Sequence, residues 1–182
     1  VLIRGFKKAK ERLGNTVLML AGPDFGEENK LKMLVAQLDL EKEVRFTGMV
    51  DPIGRSQLLA IADLCVLTAY RGENFGIAAA EAMAAGVPVL VSDETGLAHD
   101  VKMFRAGKVV SVDEAHIAEG LVELILDGKE RVKMGERGRQ MVRERYDTAK
   151  VAQLMARAYE NILSGERSEA CAWRAGEETL PR

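Results

Sequence analysis

The chain has 182 residues, 47% hydrophobic and 30% charged, with a formal net charge of −2. That profile fits an ordinary soluble domain with a sizeable core, and it leaves no global basic field to displace counterions from a nucleic acid. Aromatics are only 5%, so the core rests on Leu, Val, Ile, Ala and Met. No apolar run reaches bilayer-spanning length and no secretory signal opens the chain. The two cysteines, Cys65 and Cys171, have no metal-like spacing, which argues against a disulfide scaffold and fits a reducing, cytoplasmic setting. The chain opens on Val1 within a helical pattern, as expected of a segment of a longer polypeptide.

In chain order, Leu2, Ile3, Phe6, Ala9 and Leu13 recur at helical spacing, and Gly14-Asn15 ends that helix. The apolar run Val17 to Ala21 reads as a strand buried on both faces. Leu31, Leu34, Val35 and Leu38 give a second helix, and Val44 to Thr47 a second strand closed by Gly48. A short helix over Ser56 to Ala62 precedes the strand Leu64 to Leu67. A helix from Phe75 to Ala85, a strand from Val87 to Val91, a helix near Leu97 to Met103 and a strand from Lys108 to Val112 follow. From Asp113 onward the pattern is helical. Ile117, Leu121, Leu124 and Ile125 mark one helix, and Asp127-Gly128 breaks it before a charged helix running to Arg145. Val151, Leu154, Met155, Ala158, Tyr159 and Ile162 form an apolar stripe. Residues 1–163 read as one domain and 164–182 as a disordered tail without an apolar face.

Strands alternating with helices imply an α/β fold, a parallel sheet covered on both faces by right-handed crossovers. Ligands of such sheets bind outside the carboxyl ends of the strands. Four loops therefore matter: Gly22 to Gly26, Gly48 to Arg55, Thr68 to Phe75 and Ser92 to Gly96.

The third loop is the informative one. It reads Tyr70-Arg71-Gly72-Glu73-Asn74-Phe75-Gly76-Ile77 and runs into Glu81-Ala82-Met83-Ala84-Ala85-Gly86-Val87-Pro88-Val89. Glu73 sits at a strand-to-helix junction and Glu81 about two turns into the helix. A helix N-terminus offers unpaired N–H groups and a positive dipole end, which suits a phosphate or a sugar hydroxyl. Gly72 and Gly76 permit close approach to the backbone. A carboxylate accepts two hydrogen bonds at once, matching the vicinal hydroxyls of a ribose or hexose. The two glutamates alone also read as a solvated helix residue and a capping residue.

The whole string, Glu-x-Phe-Gly followed by Glu-Ala-Met-Ala-x-Gly-x-Pro-Val, resembles the signature of the retaining glycosyltransferases of family 4, also called group 1. The resemblance runs from about Val1 to Ile162 and includes the strand Leu18 to Gly22 and the segment Val44-x-Phe-x-Gly48-x-Val50. It implies a Rossmann-like sheet with helices on both faces, the C-terminal half of a GT-B fold lacking its first strand, with Val17 to Ala21 and Leu64 to Leu67 flanking the empty central place. It assigns Glu73 to the donor sugar's hydroxyls, the N–H groups of Phe75, Gly76 and Ile77 to the donor sugar and its phosphate, and Glu81 to the ribose. The backbone around Val50 would bracket the base. Arg55 reads equally as a basic neighbour of that base and as an exposed residue at a helix start.

The resemblance further implies transfer of a hexose from a nucleoside-diphosphate sugar to an acceptor hydroxyl, in glycan, polysaccharide or glycolipid synthesis, with no metal and no cofactor beyond the donor. The acceptor site and the Arg/Lys loop that grips the donor phosphates belong to the missing part, so the segment alone is expected to be inactive. Peripheral membrane association through that part is compatible with the resemblance. A sugar-nucleotide epimerase of the same fold and a non-catalytic doubly wound domain are the alternatives. Elsewhere, Arg71 lies beside the phosphate position or faces water. His99 and His116 lack ligand-type neighbours, which argues against a metal site. Asp93 and Glu94 read as exposed, Cys65 as a buried inert thiol, and the basic residues from Lys129 to Arg145 as a solvated helix face.

Overall fold

A computed structural model describes residues 1–69 and 73–164. The elements are α1 (Leu2–Leu13), β1 (Leu18–Ala21), α2 (Glu28–Gln37), β2 (Val44–Gly48), α3 (Pro52–Ile61), β3 (Cys65–Leu67), α4 (Ile77–Ala85), β4 (Val89–Ser92), α5 (Ala98–Phe104), β5 (Gly107–Val110), α6 (Glu114–Leu126), α7 (Gly128–Arg145) and α8 (Thr148–Ser164). The alternation is the α/β pattern expected, and every strand pair is parallel.

The strands form two sheets, β1-β2 and β3-β4-β5. Leu18 lies opposite Val44 in the first, and Val66 opposite Leu90 in the second. β4 is central to its sheet and all four of its residues are buried, which explains its unbroken apolar sequence. β1 and β3 do not pair with each other, so among the described residues the place expected between them is open.

One apolar core nevertheless serves both sheets. Ile3, Phe6, Ala9 and Leu13 of α1 share it with Ile117, Leu121 and Leu124 of α6, together with Val44 of β2 and Leu90 of β4. Each of these side chains larger than alanine, fully buried, contributes about 1.5–3 kcal/mol. The helices meet closely because Gly5 has no side chain: a β-carbon there would lie 2.8 Å from Ile117 Cγ2. Asp113 caps α6, its Oδ1 accepting from the N–H groups of Ala115 and His116 at 2.9 Å each.

α7 keeps Lys129, Lys133 and Arg143 exposed, as a solvated face requires, but corrects that reading for three other basic residues. Three of its arginines donate to carbonyls at the C-terminal ends of three other helices. Arg139 Nη2 reaches Ala85 O of α4 at 2.7 Å, Arg137 Nε reaches Arg105 O after α5 at 2.7 Å, and Arg131 Nη1 reaches Leu124 O of α6 at 3.1 Å. These carbonyls are the groups a helix leaves without partners at the negative end of its dipole. Close approach is possible because a β-carbon on Gly135 would lie 2.0 Å from Gly86 O, and one on Gly138 3.0 Å from Met83 Cγ.

The compact unit ends at Val142, inside the span read as one domain, and a second unit begins at Arg143. Within that second unit no residue of α8 is buried, and its stripe of Val151, Leu154, Met155, Tyr159 and Ile162 is exposed. The expected disordered tail, with Cys171, lies outside the described residues beyond Ser164.

Candidate functional site

Two loop-to-helix junctions carry the residues singled out from the sequence. The first joins β2 to α3. Gly48, at φ 65°, turns the chain out of the strand. Asp51 then caps α3, its Oδ1 accepting from Gly54 N–H at 2.6 Å, with Pro52 in the first helical position. The helix therefore starts at Pro52, earlier than the apolar spacing implied. Val50 is half-buried just before the cap. Arg55 lies in the first turn, its N–H bonded to Asp51 O at 2.9 Å.

The second junction joins β3 to α4. Glu73 Oε1 accepts from Gly76 N–H at 2.8 Å and from Phe75 N–H at 3.4 Å. Gly76 adopts a left-handed φ of 98°, so helical geometry begins at Ile77 rather than Phe75. Two of the three N–H groups assigned to a donor are thus engaged by Glu73 in this structure, and Glu81 sits about one turn into α4 rather than two. The alanines of α4 let it lie on the sheet, with Ala79, Ala82 and Met83 fully buried. Gly86 ends it: Gly86 N–H bonds Met83 O and Val87 N–H bonds Ala82 O, both at 2.9 Å.

The two junctions meet through one ion pair. Arg55 Nη1 stands 3.0 Å from Glu81 Oε1, with the arginine side chain 50% and the glutamate 34% exposed. Arg71 and Gly72 lie outside the described residues. A cleft of about 250 Å3 opens at the carboxyl ends of β1 and β2, between Gly22, Phe25, Phe46 and Gly48. It is lined by none of Val50, Arg55, Glu73, Phe75, Gly76, Ile77 or Glu81.

The loop after β4 supports the Glu73 loop from beneath, a role that no motif in the sequence announces. Ser92 Oγ donates to Ala69 O at 2.8 Å and lies 3.0 Å from Thr95 Oγ1; both residues are buried. Leu97 N–H bonds Phe75 O at 3.1 Å. A β-carbon on Gly96 would meet Asn74 O. Asp93 and Glu94 are exposed, as expected, and Asp93 accepts from Ser111 Oγ at 3.1 Å. Cys65, in β3, is half-buried, and burial pushes its thiol up to about 11, which leaves it protonated and unreactive at neutral pH. Among the described residues no group of three or more His, Cys, Asp or Glu is placed to hold a metal ion. No described helix is long and apolar enough to cross a membrane.

Parallel strands flanked by helices, with the junctions at the carboxyl ends of β2 and β3 joined by the Arg55–Glu81 ion pair, define a Rossmann-like α/β fold. The chain belongs to the family described as glycosyl transferases group 1, which it matches over residues 1–141. It is 32% identical over 165 residues to the phosphatidyl-myo-inositol mannosyltransferase of Mycobacterium leprae, covering 90% of this chain and 43% of that protein. Its fold superposes on sucrose-phosphate synthase from Thermosynechococcus elongatus with a TM-score of 0.79 at 26% identity, over 90% of this chain and 43% of that one. It is also similar to the Anabaena protein HepE solved in complex with UDP, with a TM-score of 0.77 at 25% identity, over 88% of this chain and 44% of that one. The chain thus spans less than half the length of these proteins.

Proposed function

We propose that this chain is the donor-binding part of a retaining family 4 glycosyltransferase, which moves a hexose from a nucleoside-diphosphate sugar to an acceptor hydroxyl. The observation that carries the reading is the β3–α4 junction, where a glutamate, the helix's first N–H groups and a second glutamate one turn on cluster at the carboxyl end of a parallel strand. Family membership supports it, as does the likeness to a mannosyltransferase, to sucrose-phosphate synthase and to a protein that binds UDP.

Glu81 holds the ribose hydroxyls, and the backbone around Val50 brackets the base beside Arg55. The N–H groups of Phe75, Gly76 and Ile77 face the donor sugar and its phosphate. Glu73 Oε1 yields Gly76 N–H to the incoming donor and turns to the sugar's hydroxyls. In the transfer, the bond from the anomeric carbon to the diphosphate breaks and a bond to the acceptor oxygen forms on the same face. The acceptor's proton passes to an oxygen of the nucleoside diphosphate as it departs. Stabilising that departing charge is the main electrostatic task, and the N-terminus of α4 contributes to it. Acceptor selection and catalysis need residues beyond this chain, so the 182 residues bind donor without transferring sugar.

The test is titration of the chain with UDP, GDP and ADP. Glu81→Ala weakens the preferred nucleotide roughly ten- to hundredfold, as loss of a charge-assisted hydrogen bond of about 1.5–3 kcal/mol requires. Glu73→Ala spares the free nucleotide and weakens the nucleotide sugar. Equal loss of free-nucleotide affinity in both variants overturns the assignment.

A further inference from the structure

Arg55 and Glu81 come from different crossover helices, α3 and α4, which start at the carboxyl ends of strands in different sheets. Each is fixed by its own helix. Asp51 caps the turn that carries Arg55, and Gly76 with Glu73 closes the turn before Glu81. Every other residue of α4 is Ala, Ile or Met, so no hydrogen-bonding side chain of its own helix competes for the Glu81 carboxylate. The ion pair runs through Oε1. A carboxylate has two oxygens and about four acceptor positions, so Oε2 retains its capacity to accept from a hydroxyl.

We infer that Arg55 is the positioning residue of the nucleotide site: its guanidinium fixes Glu81 through Oε1 and presents Oε2 to a ribose diol. The inference rests on the reading of Glu81 as the ribose ligand and goes beyond it. An unpaired carboxylate beside a diphosphate repels it; paired with Arg55, Glu81 keeps its acceptor capacity while its charge is offset. A side chain held in one orientation also loses less freedom when the ligand arrives. The guanidinium's planar fork suits this better than an ammonium, which binds as a point charge. Arg55 therefore acts through Glu81, whereas a residue that stacks on or bonds the base acts independently of it.

The experiment is a double-mutant cycle on the 182-residue chain with Arg55→Gln, Glu81→Gln and the double variant. Binding is followed by ligand-observed NMR, which reads weak affinities. The tightest of UDP, GDP and ADP is compared with its 2′,3′-dideoxy analogue, which lacks both ribose hydroxyls. The expected result is that Arg55→Gln weakens the ribonucleotide roughly three- to tenfold, leaves the dideoxy analogue unchanged and has no further effect once Glu81 is Gln. Arg55→Lys restores part of the loss, and unchanged melting temperatures establish that all variants fold. Equal weakening of both nucleotides, or the same loss with and without the Glu81 carboxylate, overturns the positioning role in favour of direct contact with the base. If the wild type does not distinguish the ribonucleotide from its dideoxy analogue, or binds neither, the ribose reading of Glu81 fails and the role of Arg55 falls with it.

Discussion

A β-carbon placed on Gly96 would stand 2.1 Å from the carbonyl oxygen of Asn74, far inside contact distance. The obstacle is backbone, so it cannot swing aside as a side-chain tip does. Asn74 follows Glu73 directly, which ties the geometry of the β3–α4 loop to a residue on the neighbouring strand's loop. Gly96→Ala is expected to destabilise the chain by about 1–3 kcal/mol, as overpacking does. It should also weaken nucleotide-sugar binding roughly tenfold through displacement of Glu73 and Gly76. Thermal unfolding and donor titration on one preparation check both.

Glu73 closes the turn that leads into α4, its Oε1 accepting from the N–H groups of Phe75 and of Gly76, the N-cap residue. Glu73→Ala should cost about 0.5–1.5 kcal/mol of stability. Glu73→Gln keeps an acceptor oxygen and should lose less. Urea unfolding of the two variants beside the wild type decides it: equal losses would mean that the cap contributes nothing.

His116 and Asp113 make a pH-sensitive cap on α6. The His116 pKa is raised above the ordinary 6.5, first by its side-chain hydrogen bond with Asp113 and then by that carboxylate's charge. The Asp113 pKa is lowered from 3.8, first by the backbone N–H of His116 and then by its ring. The histidine's contribution is thus complete below its unfolded pKa and is lost as pH rises through its higher folded value. The aspartate's is complete above its unfolded pKa and is lost as pH falls through its lower folded value. The melting-temperature advantage of the wild type over His116→Gln should therefore be full in mildly acidic solution and shrink as pH rises above the unfolded value of about 6.5. Both groups are exposed, so the advantage should be small and should fade in molar salt.

The open edges of β1 and β3 set an order of amide protection. β4 is bonded on both sides, whereas β1 and β3 are each bonded on one. Alternate amides of β1 and β3 should therefore exchange roughly a hundredfold faster than those of β4 in native-state hydrogen exchange. Uniform protection across all three strands would show that the edges are closed in solution.

Much of this architecture is written in local pattern. The runs at Val17 to Ala21 and Val87 to Val91, and the helical spacing of Ile3, Phe6, Ala9 and Leu13, locate elements that the structure contains as β1, β4 and α1. Periodicity locates interiors better than ends. α3 begins at Pro52 because Asp51 and Pro52 form a start signal independent of apolar spacing, and α4 begins at Ile77 because Gly76 is left-handed. The site was legible as a string of residue types, yet the string does not show that Glu73 engages its own loop or that Arg55 reaches Glu81. Those contacts depend on how α3 and α4 stand side by side. The arginines of α7 were illegible for the same reason. Charge alternation along a helix looks alike whether the partner is water or a carbonyl; only the glycines at 135 and 138 hint that another helix end comes close.

Arg139→Ala removes the guanidinium from Ala85 O and should lower the melting temperature by about 2–4 °C, corresponding to about 1 kcal/mol for an exposed charged donor at a helix end. Nucleotide affinity should not change. A change in affinity with no change in melting temperature would contradict the structural role of this contact.

The arginine contacts of α7 also divide labour between the two poles of the molecule. In a parallel α/β layer the helices run against the strands, so helix C-termini gather at the pole opposite the strands' carboxyl ends. Arg131, Arg137 and Arg139 clasp that far pole, joining α4, α5 and α6 to one helix. The loops around Arg55, Glu73 and Glu81 occupy the other pole and share no residue with the clasp. Substitutions in the upper loops can thus leave the lower fastening intact, so the pole at the strands' carboxyl ends can vary without loosening the far ends of the helices.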